Sequence, residues 1–460
     1  MKKVLLFSLI LYGTSVFAQT EPAVKDTALL TFEEAVKIGL MNSMTLNQQK
    51  NQLELSQMYK TSSIASLAPS VSINGTASRF DGNSFNRQQA RVVNGVADNV
   101  TASIDANLNL FNGFNSLNTV KQSARALDAQ NAFVKRTSQD VINTVALQYL
   151  QVLLDMELLR IAQENFEVQD QQLQQIHEFV ATGSRAPVDE LNQDALTKGA
   201  ELTLVQAEIA LNNDKALLTQ TLLIDPFDEF GVVKPEWDIN KISNQNLNPN
   251  EMLQTAMVNR GDYLQAKQTE LSNKYGMYAS KGLMAPNIYA FASYGSAYNF
   301  IHDVPDSIEV REGINRSFKD QFTSDNTYLQ YGLGLRIPLF NGLQNRANYV
   351  QQRVRYDNSK LTTRNTEVLL KNDIQRSRRN FDGAKKGYAV SQAQLRAAEE
   401  AYKLETERYN LGVTSLVDYI TANRSFIQAQ TNFAQSEYRL IFQRIQLEYA
   451  LGTLKIEDFQ

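Results

Sequence analysis

The residues able to do chemistry are few. The chain has 460 residues, no cysteine and two histidines, His177 and His302. Without thiols there is no disulfide, no thiolate nucleophile and no thiolate metal site. Two histidines far apart in the chain do not make a His-based metal centre. No nucleophile–base spacing gives an enzyme anything to build on, and no cofactor motif is present. What recurs instead is a carboxylate. Asp189 follows Gly183, and Asp418 follows Gly412 at the same spacing. Each sits where a new helix should begin, a position at which the helix dipole favours negative charge. The chemistry open to such groups is electrostatic. A formal net charge of −4 offers no basic patch for nucleic acid.

The elements that must position these carboxylates occur twice. Leu110-Phe111-Asn112-Gly113 returns as Leu339-Phe340-Asn341-Gly342, 229 residues later. Glu208, Leu211 and Leu222 match Glu437, Leu440 and Leu451 at the same offset. Upstream, Asn42 matches Asn259 and Pro69 matches Pro286, both 217 residues apart. The second copy therefore carries a 12-residue insertion between Pro286 and Leu339. Ordered matches at constant offset mark a tandem repeat. One copy covers 31–225 and the other 248–454, with a linker at 226–247, an N-terminal extension at 19–30 and a tail at 455–460.

The first residues read as a secretory signal, 1–18. Lys2 and Lys3 precede the apolar stretch from Val4 to Leu11, which is too short to span a bilayer, and Val16-Phe17-Ala18 is an acceptable cleavage site. No cysteine follows, so lipid anchoring through Cys is excluded. Past the signal no apolar run is long enough for a membrane helix. A place in a membrane would then require a β-barrel, because only closed barrels and helices satisfy their backbone in lipid.

Each copy holds two alternating segments. In Thr101–Phe111, Ala102, Ile104, Ala106, Leu108 and Leu110 share one face; Ser103, Asp105, Asn107 and Asn109 share the other. In the second copy Leu329, Tyr331, Leu333, Leu335, Ile337 and Leu339 alternate with Gln330, Gly332, Gly334 and Arg336. This is the period and length of a tilted membrane strand with lipid on one side and water on the other. Weaker strands precede each, at Val71–Phe80 after Pro69 and at Ile288–Ala297 after Pro286. Tyr289 and Phe291 fall on the nominally inner face, which leaves the facing of that strand open. Polar residues at 81–99 and 298–326 are expected to form the outer loops.

Between strands the chain is helical. From Asn115 to Phe179 there is neither Pro nor Gly, enough for a helix on the order of 100 Å long. A second long helix is expected from Gln344 to Tyr409. Both should stop at a glycine turn, Thr182-Gly183-Ser184 and Leu411-Gly412-Val413. Returning helices should run over Ala186–Leu223, with Pro187 early in it, and Ser415–Leu451. Single helices are expected at Thr31–Ala65, opened by a Thr31/Glu34 cap, and at Pro249–Leu283. Four strands cannot close, and open edges are not tolerated in lipid. Two chains would give an eight-stranded barrel filled by its own side chains. Three would give twelve strands and an aqueous lumen under cyclic symmetry, hence a homotrimer.

These residues carry a resemblance. Phe32-Glu33-Glu34-Ala35 followed by Leu40, Pro69 and Pro286 opening strands, the two Leu-Phe-Asn-Gly exits, Gly412 to Asp418 and the closing Ala450-Leu451-Gly452-Thr453-Leu454 are similar, in order and spacing, to the TolC-type outer membrane efflux proteins. The resemblance covers nearly the whole mature chain. It implies a trimeric twelve-stranded transmembrane β-barrel continued by a coiled-coil-like α-helical tunnel through the periplasm. It also implies a periplasmic adaptor and an inner-membrane RND or ABC transporter as partners, in efflux or type I secretion. By the same resemblance Asp418 takes the position of an aperture carboxylate repeated around the axis, and Tyr409 and Asp189 take positions that hold the entrance closed. The second acid and the basic residue of that network are here Thr421 and Thr414. Three carboxylates near one axis should raise one another's pKa. Gly183, Ser184, Arg185, Gly412 and Val413 become candidate adaptor contacts at the hairpin tips. A stalk or adhesin without conduction is the competing reading, but a stalk needs no lumen.

Overall fold

The computed structural model describes residues 28–86, 91–225, 230–235, 237, 239, 248–302 and 315–455. The expected signal at 1–18, most of the linker and the end of the tail lie outside these residues. In chain order the elements are β1 (Ala28–Leu30), α1 (Phe32–Asn42), α2 (Met44–Ala65), β2 (Ser70–Asn86), β3 (Arg91–Asn112), α3 (Asn115–Ala181) and α4 (Pro187–Leu222). They continue with β4 (Phe230–Val232), α5 (Pro249–Asn259), α6 (Gly261–Gly282), β5 (Asn287–Ile301), β6 (Tyr328–Arg336), α7 (Gln344–Asn410) and α8 (Leu416–Leu451). A short irregular helical segment, 318–325, precedes β6.

Helix α1 opens with the expected reciprocal cap. The Glu34 amide donates to Thr31 Oγ1 at 3.3 Å, and the Thr31 amide donates to Glu34 Oε2 at 2.9 Å. The helix does not run unbroken to Ala65. It stops at Ser43, whose ψ of 112° leaves the helical region and whose hydroxyl accepts from the Leu46 amide at 3.2 Å to start α2. The second expected single helix breaks at Arg260, with ψ 114°. There a nearly buried guanidinium donates to Asp262 at 2.9 Å and to Asp373 of α7 at 2.7 Å.

The strand exits explain their repeated motif. Gly113 and Phe114 both take left-handed φ, 64° and 62°, and so do Gly342 and Leu343, 63° and 62°. Two such residues in succession turn a strand into a helix; glycine takes the first at no steric cost. Asn112 then caps α3 by accepting from the Ser116 amide at 3.2 Å. Helices α3 and α7 each run 67 residues, on the order of 100 Å.

The sheet order is β2-β3-β5-β6, antiparallel throughout, with β2 and β6 at its edges. Two expectations are corrected. Residues 81–99 are mostly strand rather than loop, because β2 and β3 stay paired from Ser70↔Asn107 out to Asn86↔Arg91. Strand β6 ends at Arg336, so Ile337 and Leu339 lie beyond it; Pro338 has no amide to donate to a ladder.

The helical core has three parts. The largest joins α1, the middle of α3, the end of α4 and part of α8 to the parallel pair β1–β4. Its anchor is Tyr149, fully buried, with its hydroxyl 2.9 Å from the Leu30 carbonyl and 2.6 Å from that of Val233. Phe32 meets the Tyr149 ring edge to face at 5.3 Å. A second part packs α5, α7 and α8 around Phe381. The third lies at the far tip.

Candidate functional site

Both long helices end in the expected glycine turn. Gly183 and Gly412 have φ of 74° and 70°, and no atom crowds either Cβ position, so it is the backbone angle that demands glycine. The Ser184 amide donates to the Phe179 carbonyl and the Val413 amide to that of Arg408, each at 2.8 Å. These close the last carbonyls of the helices in a Schellman arrangement. Ser184 and Val413 are exposed.

Asp418 lies in the first turn of α8, exposed. Its Oδ2 accepts from the Ser415 hydroxyl at 2.7 Å and the Thr414 hydroxyl at 3.2 Å, while its amide donates to Ser415 Oγ at 3.2 Å. These hydroxyls, Ser415 foremost, hold the carboxyl below the usual aspartate range. Within one chain that is opposite to the rise expected from neighbouring carboxylates. Thr421 stands apart, its hydroxyl donating to the Val417 carbonyl at 2.7 Å.

Asp189 is half-buried in the first turn of α4. Four residues before it, Arg185 places its guanidinium 4.6 Å above the Tyr409 ring centroid. Tyr409 is 4% exposed and stacks on Tyr419 at 5.1 Å. Tyr419 neighbours Tyr402 at 5.9 Å, and Tyr402 stacks on Phe426 at 5.2 Å. Ile176 of α3 completes the cluster. Burial pushes the Tyr409 phenol up, and its hydroxyl has no hydrogen-bond partner among the described residues. Arg185 of the first hairpin thus contacts Tyr409 of the second.

Sequence reasoning missed this aromatic cluster. A signal was present: Tyr402 and Tyr409 are spaced like Tyr419 and Phe426, seven residues apart, the spacing of a shared helix face in coiled packing. It also missed His177, whose Nδ1 is 2.7 Å from Glu190 Oε1 across the first hairpin.

At the other end, the register sets the facing of the strands, except at Leu110, which is left unpaired by a shift between Asn109 and Phe111. Val71↔Ala106↔Ala292↔Tyr331 and Ile73↔Ile104↔Tyr294↔Leu329 lie on one face. Ile73 is 78% exposed, Leu333 72% and Tyr331 76%, so this apolar face is bare in a single chain. It ends at a polar rim, where Arg79 donates to Asp98 at 2.6 Å and His302 Nε2 lies 2.8 Å from the same carboxylate. The rings of Tyr298, Phe300 and Phe318 stand beside that rim, as an aromatic girdle does at a membrane interface. On the opposite face Asp105 accepts from Asn74 at 2.7 Å, Ser103 at 2.7 Å and Ser293 at 2.6 Å, lacing three strands together. Tyr289 and Phe291 belong to this polar face, each opposite a glycine, Gly334 and Gly332.

Among the described residues no helix is long and apolar enough to cross a membrane. None of their His, Asp and Glu residues cluster in a way that could hold a metal ion.

Comparison with known proteins agrees with this geometry. The chain is 24% identical over 422 residues to the pyoverdine export outer membrane protein OpmQ of Pseudomonas aeruginosa, covering 90% of this chain and 83% of that one. It is 22% identical over 348 residues to the outer membrane protein TolC of Vibrio cholerae, covering 75% and 74%. Among solved structures, the outer membrane protein VceC of Vibrio cholerae superposes with a TM-score of 0.76 at 15% identity, over 92% of this chain and 96% of that one. The family model for outer membrane efflux proteins matches residues 36–222 and 307–453, and the chain therefore belongs to the outer membrane efflux protein family.

Proposed function

We propose that this protein is the outer-membrane exit duct of a tripartite efflux pump or type I secretion system. Three copies pool their strands into one twelve-stranded barrel, and their tandem-repeat helices stack into a tunnel across the periplasm. The duct is passive. Small molecules or polypeptide enter from an inner-membrane RND or ABC transporter through a periplasmic adaptor and leave at the cell surface. The signal segment directs export and is removed, and the mature chain is held by its barrel rather than by a lipid on cysteine.

One observation carries the reading. The sheet has two open edges, β2 and β6, and one bare apolar face opposite a hydrogen-bonded polar face. Such a sheet is stable in lipid only when closed, and closing it puts Asp105 and its partners around water.

The tips then form the periplasmic entrance. Asp418 supplies an acidic ring, and the Arg185–Tyr409–Asp189 group holds the two hairpins together. The turns at Gly183, Ser184, Gly412 and Val413 offer exposed surface to the adaptor. Single-channel recording of purified protein in planar bilayers, paired with mass measurement in detergent, tests the proposal. Discrete conductance from a trimer is expected. A stable monomer, or a trimer that conducts nothing, would leave a stalk or adhesin as the better reading.

A further inference from the structure

Two glycines stand one turn apart inside α7, Gly383 and Gly387, and the helix runs through both without a break. Glycine is the poorest helix former after proline, so the pair weakens a helix that leucine would strengthen. At the 229-residue offset the first copy has leucine at both places, Leu154 and Leu158. No atom lies within 4 Å of a Cβ built on Gly383 or Gly387. The glycines leave space open where the first copy puts side chains.

That space is a groove of about 460 Å³ between α7 and α8. Its walls include Arg379, Gly383 and Gly387 on one helix and Asn432, Gln435 and Arg439 on the other. Both arginines also depart from the first copy, where Leu150 and Ala210 stand. Neither guanidinium has a hydrogen bond or ion pair among the described residues. No Asp or Glu among those residues lines the groove. The two acids between Lys371 and Tyr388 are engaged by other arginines. Asp373 pairs with Arg260 at 2.7 Å and Arg376 at 3.1 Å, and Asp382 with Arg378 at 3.7 Å.

Helix geometry gives the side on which the groove opens. Arg379 and Gly383 are each two residues from Phe381, about 200° around α7, and Phe381 belongs to the core that includes Met252 and Ala256 of α5. Gln435 and Arg439 stand in the same relation to Glu437 of α8, which shares a separate cavity with Lys234, just after β4. So α5 and the β4 segment cover one side of the helical wall, and the groove opens on the other. In the assembly proposed above, elements added on the inside would plug the tunnel. The groove therefore faces the lumen.

We infer that this groove is a binding site, on the inner wall of the duct, for anions carrying two or more charged oxygen groups, carboxylate or phosphate. The inference rests on the duct reading and adds a cargo-facing site to it. Two guanidiniums on opposite walls each offer a planar fork of donors that fits such oxygens. The amides of Asn432 and Gln435 add neutral donors. A cleft lined by one sign of charge concentrates counter-ions. Repeated in three protomers, the groove makes a belt of six arginines. The belt lies roughly 40 Å from the tips, set back from the acidic ring at Asp418.

Inorganic tripolyphosphate tests this in single-channel recordings of the assembled full chain. It is added from the side of the outer loops, so that it does not meet Asp418 first. The conductance of each variant, recorded before addition, checks that it assembles. Tripolyphosphate should block the unmodified channel. Arg379→Gln with Arg439→Gln should weaken block by about tenfold per arginine. Gly383→Leu with Gly387→Leu should also weaken it, at unchanged charge, by filling the groove with the side chains of the first copy. Arg396→Gln with Arg424→Gln removes the same charge from α7 and α8 outside the groove and should change block far less. Equal loss in this control would assign block to overall charge. Block retained with the groove filled would place the anion elsewhere. Either result, or an unmodified channel that conducts and is not blocked, removes the site and leaves the duct. A protein that conducts nothing removes the duct, and the site with it.

Discussion

The Tyr289 ring lies across the bare α-carbon of Gly334 on the neighbouring strand. A Cβ at Gly334 would fall 2.3 Å from Tyr289 Cζ, and one at Gly332 would fall 3.0 Å from Phe291 Cζ. The glycines therefore leave room for the two aromatic rings to reach over the neighbouring strand on the polar face.

Gly334→Ala should push the Tyr289 ring aside. The clash is with the far end of a side chain, so the ring moves rather than the strand. The stability cost should be about 1 kcal/mol or less. If the polar face lines the lumen, the displaced ring narrows it and single-channel conductance falls. The double variant Gly334→Ala with Tyr289→Ala should restore conductance. Equal conductance in all three proteins would show that this face does not line the path.

Tyr409 separates packing from hydrogen bonding. Its ring is buried against Tyr419 and beneath Arg185, while its hydroxyl has no partner among the described residues. Tyr409→Phe should therefore change little, within about 1 kcal/mol. Tyr409→Ala empties the centre of the cluster and should cost about 3–5 kcal/mol. Hydrogen exchange over residues 402–420 reads this as local opening of the tip. Similar protection in the alanine variant and the unmodified protein would mean that the cluster does not hold the hairpins together.

Helix ends were the most legible part of the chain, because glycine and proline mark them and the repeat marks them twice. The tip turns at Gly183 and Gly412 and the Thr31/Glu34 cap follow from local chemistry alone. The breaks at Ser43 and Arg260 did not stand out. Ser43 offers only the weak signal of an N-cap residue, and at Arg260 the guanidinium bonds to Asp373, more than a hundred residues away. The outer halves of β2 and β3 were read as loop because they extend past the apolar band. There, pairing is set by the hairpin ladder and leaves no hydrophobic period to read. The facing of Tyr289 and Phe291 was unreadable for a related reason. An aromatic side chain on a polar face is explained by the glycine beside it on the next strand, and register is not written in one strand. At the tips, the sequence named Asp418 with Thr414 and Tyr409 with Asp189, but the Ser415 hydroxyl on Asp418 and the aromatic stack around Tyr409 depend on contacts that no single stretch of sequence shows.

His177 should make the end of the first hairpin pH-sensitive. Its hydrogen bond to Glu190 at 2.7 Å holds the imidazolium above the ordinary histidine range. The folded pKa is raised, so the stabilisation is fully present below the unfolded value of about 6.5 and is lost as pH rises through the folded value. Amides in the 177–190 segment should exchange faster at pH 8 than at pH 6, after correction for intrinsic rates. His177→Gln should flatten that difference. Unchanged pH dependence in the variant would assign it to another group.

Asp418 sets two effects against each other. In a ring of three, like charges raise one another's pKa; within each chain, the Ser415 and Thr414 hydroxyls lower it. The hydroxyls act at 2.7 Å and 3.2 Å. Carboxylates across a wet opening act through water, screened over a Debye length of about 10 Å in 0.1 M salt. The local bonds should win. Block of the channel by a trivalent cation applied from the periplasmic side should then persist as pH falls to about 4, the ordinary aspartate value, and fail only below it. The same sign applies to the support the carboxylate gives the start of α8, present above the unfolded pKa and lost as pH falls through the lowered folded one. Asp418→Ala should lessen block at every pH. Thr414→Val, which leaves the Ser415 cap in place, should move the loss of block to higher pH. Block that disappears by pH 5 in the unmodified protein would mean that the ring, not the hydroxyls, governs the charge. Block unaffected by Asp418→Ala would remove the acidic ring from the entrance altogether.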